Sequence, residues 1–444
     1  MAGVLTNILK NRAKPLPSPM LAAYVRSMLD KRDFLLESAN KFGTPQYLFD
    51  EPALAQSLAS FHKAFSRHLQ RFRILYAVKS NSLPGLCKYV SDAGYGLDVS
   101  SGLELSLALS LGCRDIVFSG PGKTEHELAL GIRNRARVTL LLDSAGELER
   151  LSRLVGHADL GGLPLKIGFR ITGRHHGAWG KFGVPPEKLG DLFSKALLVK
   201  GLDPQGIQFH TSWNLGPEAQ VKMIEGVGAC IRGLSASALS RLRFLDIGGG
   251  YWPEQGEWLN PQNTGTGRLI HAVDPDFPFK HRHYYRPANP LESFAERISA
   301  ALRSQGSPLR DLEIFMEPGR WISSPAMHVV IKVIDKKGPA VVIADGGINL
   351  LGWERPLSEF TPVINLSRPS LKEIPVRVFG CLCTPLDIWG TSCFGREVLP
   401  GDILLMPDQG AYTYSLRQSF IKPIARVVRF DGSSLTEAQP EQAF

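Results

Sequence analysis

The 444-residue chain is too long for one ordinary compact core, and its 43% apolar content is that of a globular protein. It has no run of about 18 uncharged apolar residues that could span a bilayer. The basic N-terminus, with Lys10, Arg12 and Lys14, lacks the apolar core of a signal peptide, so a cytoplasmic location is expected. The net charge of +9 is spread along the chain, which argues against nucleic-acid binding and indicates a mild attraction for anionic substrates.

The cysteine and histidine spacings argue against a metal site. The six cysteines include no CxxC pair, and Cys381-Leu-Cys383 is too tight for zinc ligands, so reduced thiols are expected. His281 and His283 have no third ligand at a usable spacing, and we expect no bound metal.

The N-terminal segment, residues 1–51, is expected to complete part of a β domain that lies further along the chain. It begins with polar and proline-rich sequence, continues with a helical pattern over Leu21–Phe42, and ends in a short strand near Thr44–Asp50.

Residues 52–320 alternate strand-like apolar runs with amphipathic helical segments. Eight such runs predict a closed (β/α)8 TIM barrel rather than an open sheet, with functional side chains at the strand C-termini. The predicted strands are Ile74–Val78, Gly96–Val99, Ile116–Ser119, Val138–Leu142, Leu165–Arg170, Gly206–His210, Phe244–Ile247 and Glu313–Met316.

Residues 321–444 change to closely spaced strands separated by Gly, Pro and Asp turns, which predicts a C-terminal all-β domain. The predicted strands are His328–Ile334, Ala340–Ala344, Pro375–Gly380, Asp402–Met406 and Pro423–Arg429. A long irregular segment, 251–290, interrupts the barrel pattern. Its aromatic content predicts an ordered lid that decides substrate identity.

Lys79 ends the apolar run at Tyr76–Asn81. A poorly hydrated lysine at the end of a buried strand loses its proton more easily and can form a Schiff base with an aldehyde, although a solvated strand end is the simpler alternative. Glu317 and Arg320 follow the last barrel strand, and this pair suits a pyridine nitrogen and a phosphate dianion. His210 ends another strand, where a hydrogen-bonded barrel histidine is the alternative.

Gly248, Gly249 and Gly250 leave backbone amides bare at a strand end, as phosphate binding requires. The dinucleotide fingerprint would need glycine at Pro253, and a nucleotide P-loop at Ser119–Thr124 would need glycine at Val117. Both mismatches disfavour nucleotide cofactors.

These motifs together resemble the fold type III decarboxylases that depend on pyridoxal 5'-phosphate (PLP), the family of diaminopimelate and ornithine decarboxylases, with an alanine racemase-like barrel. The resemblance rests on GTPQYLFD, YAVKSN, GLDVSSGLEL, FSGPGKT, KFGV, LDIGGG, EPGRW, DGGIN, CTPLD and GAY, in family order from Thr44 to Phe420.

The resemblance implies a role for each matching residue. Lys79 would hold the cofactor covalently, His210 would stack on its ring, and Glu317 would pair with the ring nitrogen. Cys383 would be donated by the partner subunit of a homodimer with shared active sites and would protonate the carbanion left by loss of carbon dioxide. The remaining implied cofactor contacts are Asp98, Arg170, Ser212, Gly248, Gly249, Gly250, Arg320 and Tyr412, and the implied substrate contacts are Asp345, Thr384 and Asp387.

Two positions depart from the family pattern. Thr384 stands where the amine-producing members have an acidic residue that reads the distal ammonium of the substrate. Trp213 stands in the place of the phosphate-binding serine, so Ser212 or Thr211 must substitute or the contact is lost.

The Cys-Thr-Pro-x-Asp turn is similar to the branch that acts on amino acids with a large appended group, such as a siderophore intermediate or a carrier-bound glutamyl group. We therefore expect an α-decarboxylase of specialised metabolism. Alternatives are a diaminopimelate, ornithine or lysine decarboxylase, an amino-acid racemase or epimerase, and an inactive antizyme-like binding protein.

Overall fold

The computed structural model describes residues 13–173, 178–274, 277–352 and 359–442. The chain divides into two compact units. The barrel unit comprises Leu58–Trp252 and Asn289–Ile322, and the β unit comprises Met1–Ser57, Pro253–Ala288 and Ser323–Phe444. The first 12 residues of the predicted N-terminal segment, and residues 275 and 276 of the predicted lid, lie outside the described residues.

Eight strands of the barrel unit form a closed barrel in which every neighbouring pair is parallel. All eight predicted strands are confirmed, with ends that differ by a few residues. They are Phe72–Ala77, Gly96–Val99, Ile116–Phe118, Val138–Leu142, Leu165–Arg170, Leu202–Gln208, Phe244–Asp246 and Glu313–Met316.

Helices alternate with these strands. Several begin at a side-chain cap, for example Ser101, Ser144 and the capping box of Thr124 with Glu127. The helices within the barrel unit are Pro84–Asp92, Gly102–Ser110, Glu125–Arg133, Ala145–Gly156, Leu189–Leu197, Glu218–Ile231, Ala236–Arg241 and Leu291–Ser304. The helix Glu51–Ser66 enters this unit at Leu58, and the short helix Arg320–Ser323 leaves it after Ile322.

The barrel interior is filled rather than open. The rings of Phe244 and Phe315 stack with centroids 4.4 Å apart, within a buried cluster that includes Leu75 and Leu141. A Cβ added at Gly206 would lie 2.0 Å from the Phe244 ring, so only glycine leaves room for it. This packing blocks the middle of the barrel and leaves its C-terminal end for chemistry.

The β unit contains a nine-stranded mixed sheet. The predicted N-terminal strand joins it, because Gln46–Asp50 pairs with both Met327–Lys336 and Arg426–Phe430. In sheet order the strands are Val341–Ala344, Glu373–Phe379, Ile388–Phe394, Ile364–Asn365, Ile403–Met406, Met327–Lys336, Gln46–Asp50, Arg426–Phe430 and Leu435–Gln439.

Two helices, Ser18–Leu29 and Arg32–Phe42, occupy the predicted helical region and supply apolar residues to the core of the β unit. Val25 and Leu35 are fully buried there, in the same cluster as Trp258 and Ile364.

The segment 251–290 is not irregular throughout. It contains the helix Gly265–Val273 and the strands Glu257–Leu259 and Tyr284–Arg286. These strands pair with each other, and the second also pairs with Lys14–Pro15. This explains why Pro253–Ala288 groups with the β unit, whereas the sequence pattern counted it in the barrel. Its role as a lid stays a prediction.

No helix among the described residues is both long enough and apolar enough to cross a membrane.

Candidate active site

Lys79 lies in a single 3-10 turn directly after the strand Phe72–Ala77. Its Nζ donates to Oδ2 of Asp98 at 2.8 Å, and Oδ1 of Asp98 accepts from Ser119 Oγ at 2.5 Å. Burial and the nearby charge of Glu317 raise the pKa of Asp98, while Lys79 opposes that rise. The lysine side chain is one third exposed, and its ion pair with Asp98 favours the charged form of the amine. The expectation from the sequence considered only poor hydration, which favours the neutral form.

Glu317 lies just past the last barrel strand and is 1% exposed. Its Oε1 accepts from Gln208 Nε2 at 3.0 Å, and its Oε2 lies 3.3 Å from His210 Nδ1. Burial would raise the pKa of Glu317, but the His210 hydrogen bond and the charge of Lys79 lower it to about 2. Glu317 is therefore a buried anion at neutral pH.

His210 has a pKa lowered by burial, so its ring is neutral near pH 7. Its Nδ1 lies 3.3 Å from the Glu317 carboxylate and 3.2 Å from the amide nitrogen of Gly249. A proton on Nδ1 makes the charge-assisted bond to Glu317, which is the stronger of the two contacts. This choice of tautomer leaves Nε2 as the acceptor nitrogen.

The three glycines at 248–250 follow the strand Phe244–Asp246 and pack closely against neighbouring backbone. An added Cβ would lie 2.7 Å from Phe209 O at Gly248, 2.2 Å from Glu317 O at Gly249 and 2.3 Å from Thr211 O at Gly250. Gly248 and Gly250 also have positive φ, of 65° and 83°. The loop thus requires glycine. Its Gly248 amide donates to Asp246 Oδ1 at 2.8 Å, and its Gly249 amide nitrogen lies 3.2 Å from His210 Nδ1.

The Glu-Pro-Gly-Arg turn runs beside the lysine turn, because the carbonyl of Pro318 accepts from the amide of Ala77 at 3.2 Å. The guanidinium of Arg320 lies over the Trp252 ring, 4.4 Å from its centroid. Both turns therefore belong to the same end of the barrel.

Arg170 ends its strand as predicted and is 8% exposed. Its guanidinium lies over the Phe182 ring at 4.4 Å, and its Nη1 is 3.8 Å from Asp143 Oδ1.

The segment after His210 is where the sequence departs from the family pattern. Trp213 has φ of 52° and is 61% exposed, so its ring points away from the core. The Thr211 hydroxyl accepts from Asn214 Nδ2 at 2.8 Å, and that amide also donates to Gly249 O at 3.2 Å. Asn214 thereby ties this segment to the glycine loop, next to Ser212.

Lys123, in the stretch that resembles a nucleotide loop, is 3% exposed and has a local role. Its Nζ donates to the carbonyls of Gly120 and Leu141 and to Oε1 of Glu147, at 2.7 to 2.8 Å. All three of its donors are thus used within the barrel.

In the β unit, Cys383 is exposed and Thr384 is half-buried in the turn before the strand Ile388–Phe394. Asp387 is 1% exposed and organises this turn, since it accepts from the amides of Ile348 at 2.7 Å and Leu382 at 2.6 Å. Burial raises the pKa of Asp387.

Two further predicted residues also lie in the β unit. Asp345 accepts from the Thr44 hydroxyl at 2.5 Å and from the Lys332 amide at 2.8 Å, and burial raises its pKa. Tyr412 is half-buried with φ of 58°, a conformation that non-glycine residues rarely adopt and that often marks functional turns.

Within the described ranges, no group of three or more His, Cys, Asp or Glu side chains is arranged to hold a metal ion. His283 instead pairs with Glu373 at 2.7 Å and stacks on Phe360 at 3.6 Å, whereas His281 is exposed.

Four site residues were missed by the sequence analysis: Ser119, Gln208, Asn214 and Asp246. Ser119 and Gln208 hydrogen-bond Asp98 and Glu317, and Asp246 is a fully buried carboxyl beside Glu317. The predicted strands Gly206–His210 and Phe244–Ile247 placed Gln208 and Asp246 inside a strand, whereas in the structure each of them ends its strand.

These residues fit PLP. The cofactor carries an aldehyde, a pyridine nitrogen and a phosphate dianion, and the barrel end offers an amine, a buried carboxylate and a glycine loop with a neighbouring arginine. The glycine loop leaves no room for a Cβ at any of its three positions, so only backbone borders this part of the barrel end.

The comparison with known proteins agrees with this fit. Residues 55–324 match the family model of the pyridoxal-dependent decarboxylase, pyridoxal binding domain. The chain belongs to this family, and it is a PLP-dependent amino-acid decarboxylase of fold type III.

Individual relatives are distant but similar over most of their length. The diaminopimelate decarboxylase of Aquifex aeolicus is 26% identical over 90% of both chains, and Protein TabA of Pseudomonas amygdali pv. tabaci is 26% identical over 93% of this chain and 92% of its own. The crystal structure of diaminopimelate decarboxylase from Helicobacter pylori complexed with L-lysine is 25% identical, with a TM-score of 0.71 over 90% of this chain and 94% of that one.

Proposed function

We propose that this enzyme removes the α-carboxylate of an amino acid or amino-acid conjugate as carbon dioxide, and that Lys79 holds the PLP aldehyde. One observation carries the proposal: an amine, Lys79, and a buried carboxylate, Glu317, lie with the glycine loop at one end of a single barrel. Bound PLP supplies a conjugated ring that stabilises the electrons left at the α-carbon when carbon dioxide departs.

Each neighbouring residue has a proposed task. Glu317 keeps a proton on the ring nitrogen, because it is an anion that burial shields from water. His210 lies against the ring with its Nδ1 directed at Glu317. Asp98 orients the amine of Lys79, and Arg320, Gly248–Gly250, Ser212 and Tyr412 bind the phosphate. Arg170 is proposed as a further contact to the cofactor.

Cys383 is proposed to return a proton to the α-carbon after carbon dioxide leaves. An exposed thiol is suited to this task only when a second surface covers it, and the family resemblance supplies that surface from a partner subunit. The proposed assembly is therefore a homodimer with shared active sites.

The substrate is proposed to carry an appended group rather than a free distal ammonium. Thr384 offers a hydroxyl where the family's amine-producing members have a carboxylate, so a distal ammonium would be desolvated without a counter-ion. Biosynthesis of a specialised metabolite such as a siderophore is the corresponding setting, with Asp345 and Asp387 near the appended group. The diaminopimelate decarboxylases among the relatives favour a second candidate, decarboxylation of diaminopimelate.

A carbon dioxide release assay distinguishes these candidates. We expect kcat/KM for an acyl conjugate such as citryl-diaminopropionate to exceed that for diaminopimelate, lysine and ornithine. Thr384→Glu should raise kcat/KM for lysine or diaminopimelate by roughly tenfold, because the new carboxylate pairs with the distal ammonium. Efficient turnover of diaminopimelate by the unaltered enzyme would contradict the conjugate proposal, and α-proton exchange without gas release would indicate a racemase.

Shared active sites predict complementation between two defective chains. Lys79→Ala and Cys383→Ala should each be at least about 100-fold slower alone. Random reassociation makes half of the dimers mixed, and each mixed dimer has one intact site, so the mixture should recover roughly a quarter of the unaltered activity. Activity and native mass are measured together. Mixed dimers without recovered activity, or a monomeric active enzyme, would rule out shared sites.

A further inference from the structure

Asp246 is a buried carboxyl group that the catalytic proposal does not use. It ends the strand Phe244–Asp246 and is in register with Gln208 on one neighbouring strand and Phe315 on the other. Its side chain is fully buried. Glu317 lies two residues beyond Phe315, so an extended chain directs both carboxyl groups to the same face of the barrel wall.

Within the part of the chain that the structure describes, only one of the two carboxyl oxygens of Asp246 has a hydrogen-bond donor from the protein. Oδ1 accepts from the Gly248 amide at 2.8 Å, whereas no donor among the described residues reaches the buried Oδ2. The Glu317 carboxylate lies beside this carboxyl group, close enough for each to shift the pKa of the other. Two ionised carboxylates have only acceptor atoms, so a hydrogen bond between them requires that one of them carries a proton.

The surrounding charges and hydrogen-bond donors decide whether Asp246 or Glu317 carries this proton. Glu317 has Gln208 and His210 as donors, and the charge of Lys79 also stabilises its anion. Lys79 itself is paired with Asp98, and Arg170 lies next to Asp143. Burial, followed by the charge of Glu317, raises the pKa of Asp246 well above its usual range.

We propose that Asp246 is a neutral carboxylic acid that donates a hydrogen bond to ionised Glu317, and that it acts as a positioning residue for this carboxylate. The consequence for cofactor binding rests on the role of Glu317 proposed above. A charged Asp246 would force the proton onto Glu317 and would remove the anion that pairs with the ring nitrogen. A neutral Asp246 holds Glu317 in place and preserves its charge.

Infrared spectroscopy of the full chain without cofactor tests the protonation directly. At pH 7.5 we expect the carbonyl-stretch band of a protonated carboxylic acid, shifted by labelling aspartate with carbon-13. The component of the band that belongs to Asp246 should be lost in Asp246→Asn and retained in Asp143→Asn, which is a matched control because Asp143 is also buried but lies beside Arg170. A missing band, or an Asp246→Asn spectrum with no loss of intensity in this band, would overturn the proposal.

Cofactor binding gives a second, independent readout. Asparagine keeps a neutral donor and an acceptor, so Asp246→Asn should retain the PLP dissociation constant within about threefold, whereas Asp246→Ala should weaken it about tenfold or more. Equal weakening in both variants would contradict a neutral donor. If the alanine variant does not fold, the asparagine variant alone decides the question. Neither measurement needs substrate, so a failure of the proposed reaction would leave both interpretable.

Discussion

Lys79→Ala is expected to abolish covalent cofactor attachment and to lower kcat by about three orders of magnitude or more, because it removes the amine that Asp98 holds in place. The measurement is an absorption spectrum before and after borohydride reduction, followed by peptide mass mapping. In the unaltered protein, a visible absorption band should convert to a permanent adduct on Lys79. In the alanine variant, both the band and the adduct should be missing.

Lys88→Ala is the matched control for this substitution. Lys88 is a surface lysine, 54% exposed, that pairs with Asp92 one helical turn away, so its loss should leave the spectrum and the rate unchanged. An adduct on any lysine other than Lys79, or substantial turnover by Lys79→Ala, would show that the cofactor site has been assigned to the wrong residue.

Glu317→Gln is expected to lower kcat by about two to three orders of magnitude while the protein remains folded. Glutamine has the shape of glutamate but no charge, so it cannot hold a proton on the ring nitrogen, and loss of one preorganised electrostatic contact has an effect of this size. The pKa of about 2 means that the unaltered carboxylate stays ionised throughout the neutral range. Rate and cofactor spectrum should therefore change together.

Glu313→Gln, at the opposite end of the same strand, is the control for this change. Glu313 pairs with Arg73 at 3.0 Å, far along the strand from the glycine loop, and its loss should cost at most about 1 kcal/mol of stability. If Glu317→Gln were as active as Glu313→Gln, the buried carboxylate would have no catalytic function.

Much of the fold could be read from local patterns. Each barrel strand is a short buried apolar run. Because such a strand is buried on both faces, it can be recognised from a few consecutive residues. The chain order of strands and helices then defines the barrel, and Lys79, His210 and Glu317 could be selected because each directly follows or ends a strand. The β unit was less predictable, since Ile364–Asn365 is two residues long and Ile388–Phe394 contains Gly, Thr and Ser.

The sequence by itself thus determined the eight strands, the lysine and glutamate that we propose contact the cofactor, and the glycine loop, since each depends on residues close together in the chain. Only the tertiary structure decided that Gln208 and Asp246 lie beside Glu317, and that the strand Tyr284–Arg286 pairs with Lys14–Pro15 in the β unit. Such partners are distant in sequence, and the protonation of Asp246 follows from which groups surround it after burial. Local sequence patterns do not predict those surrounding groups, because only folding brings these distant residues together.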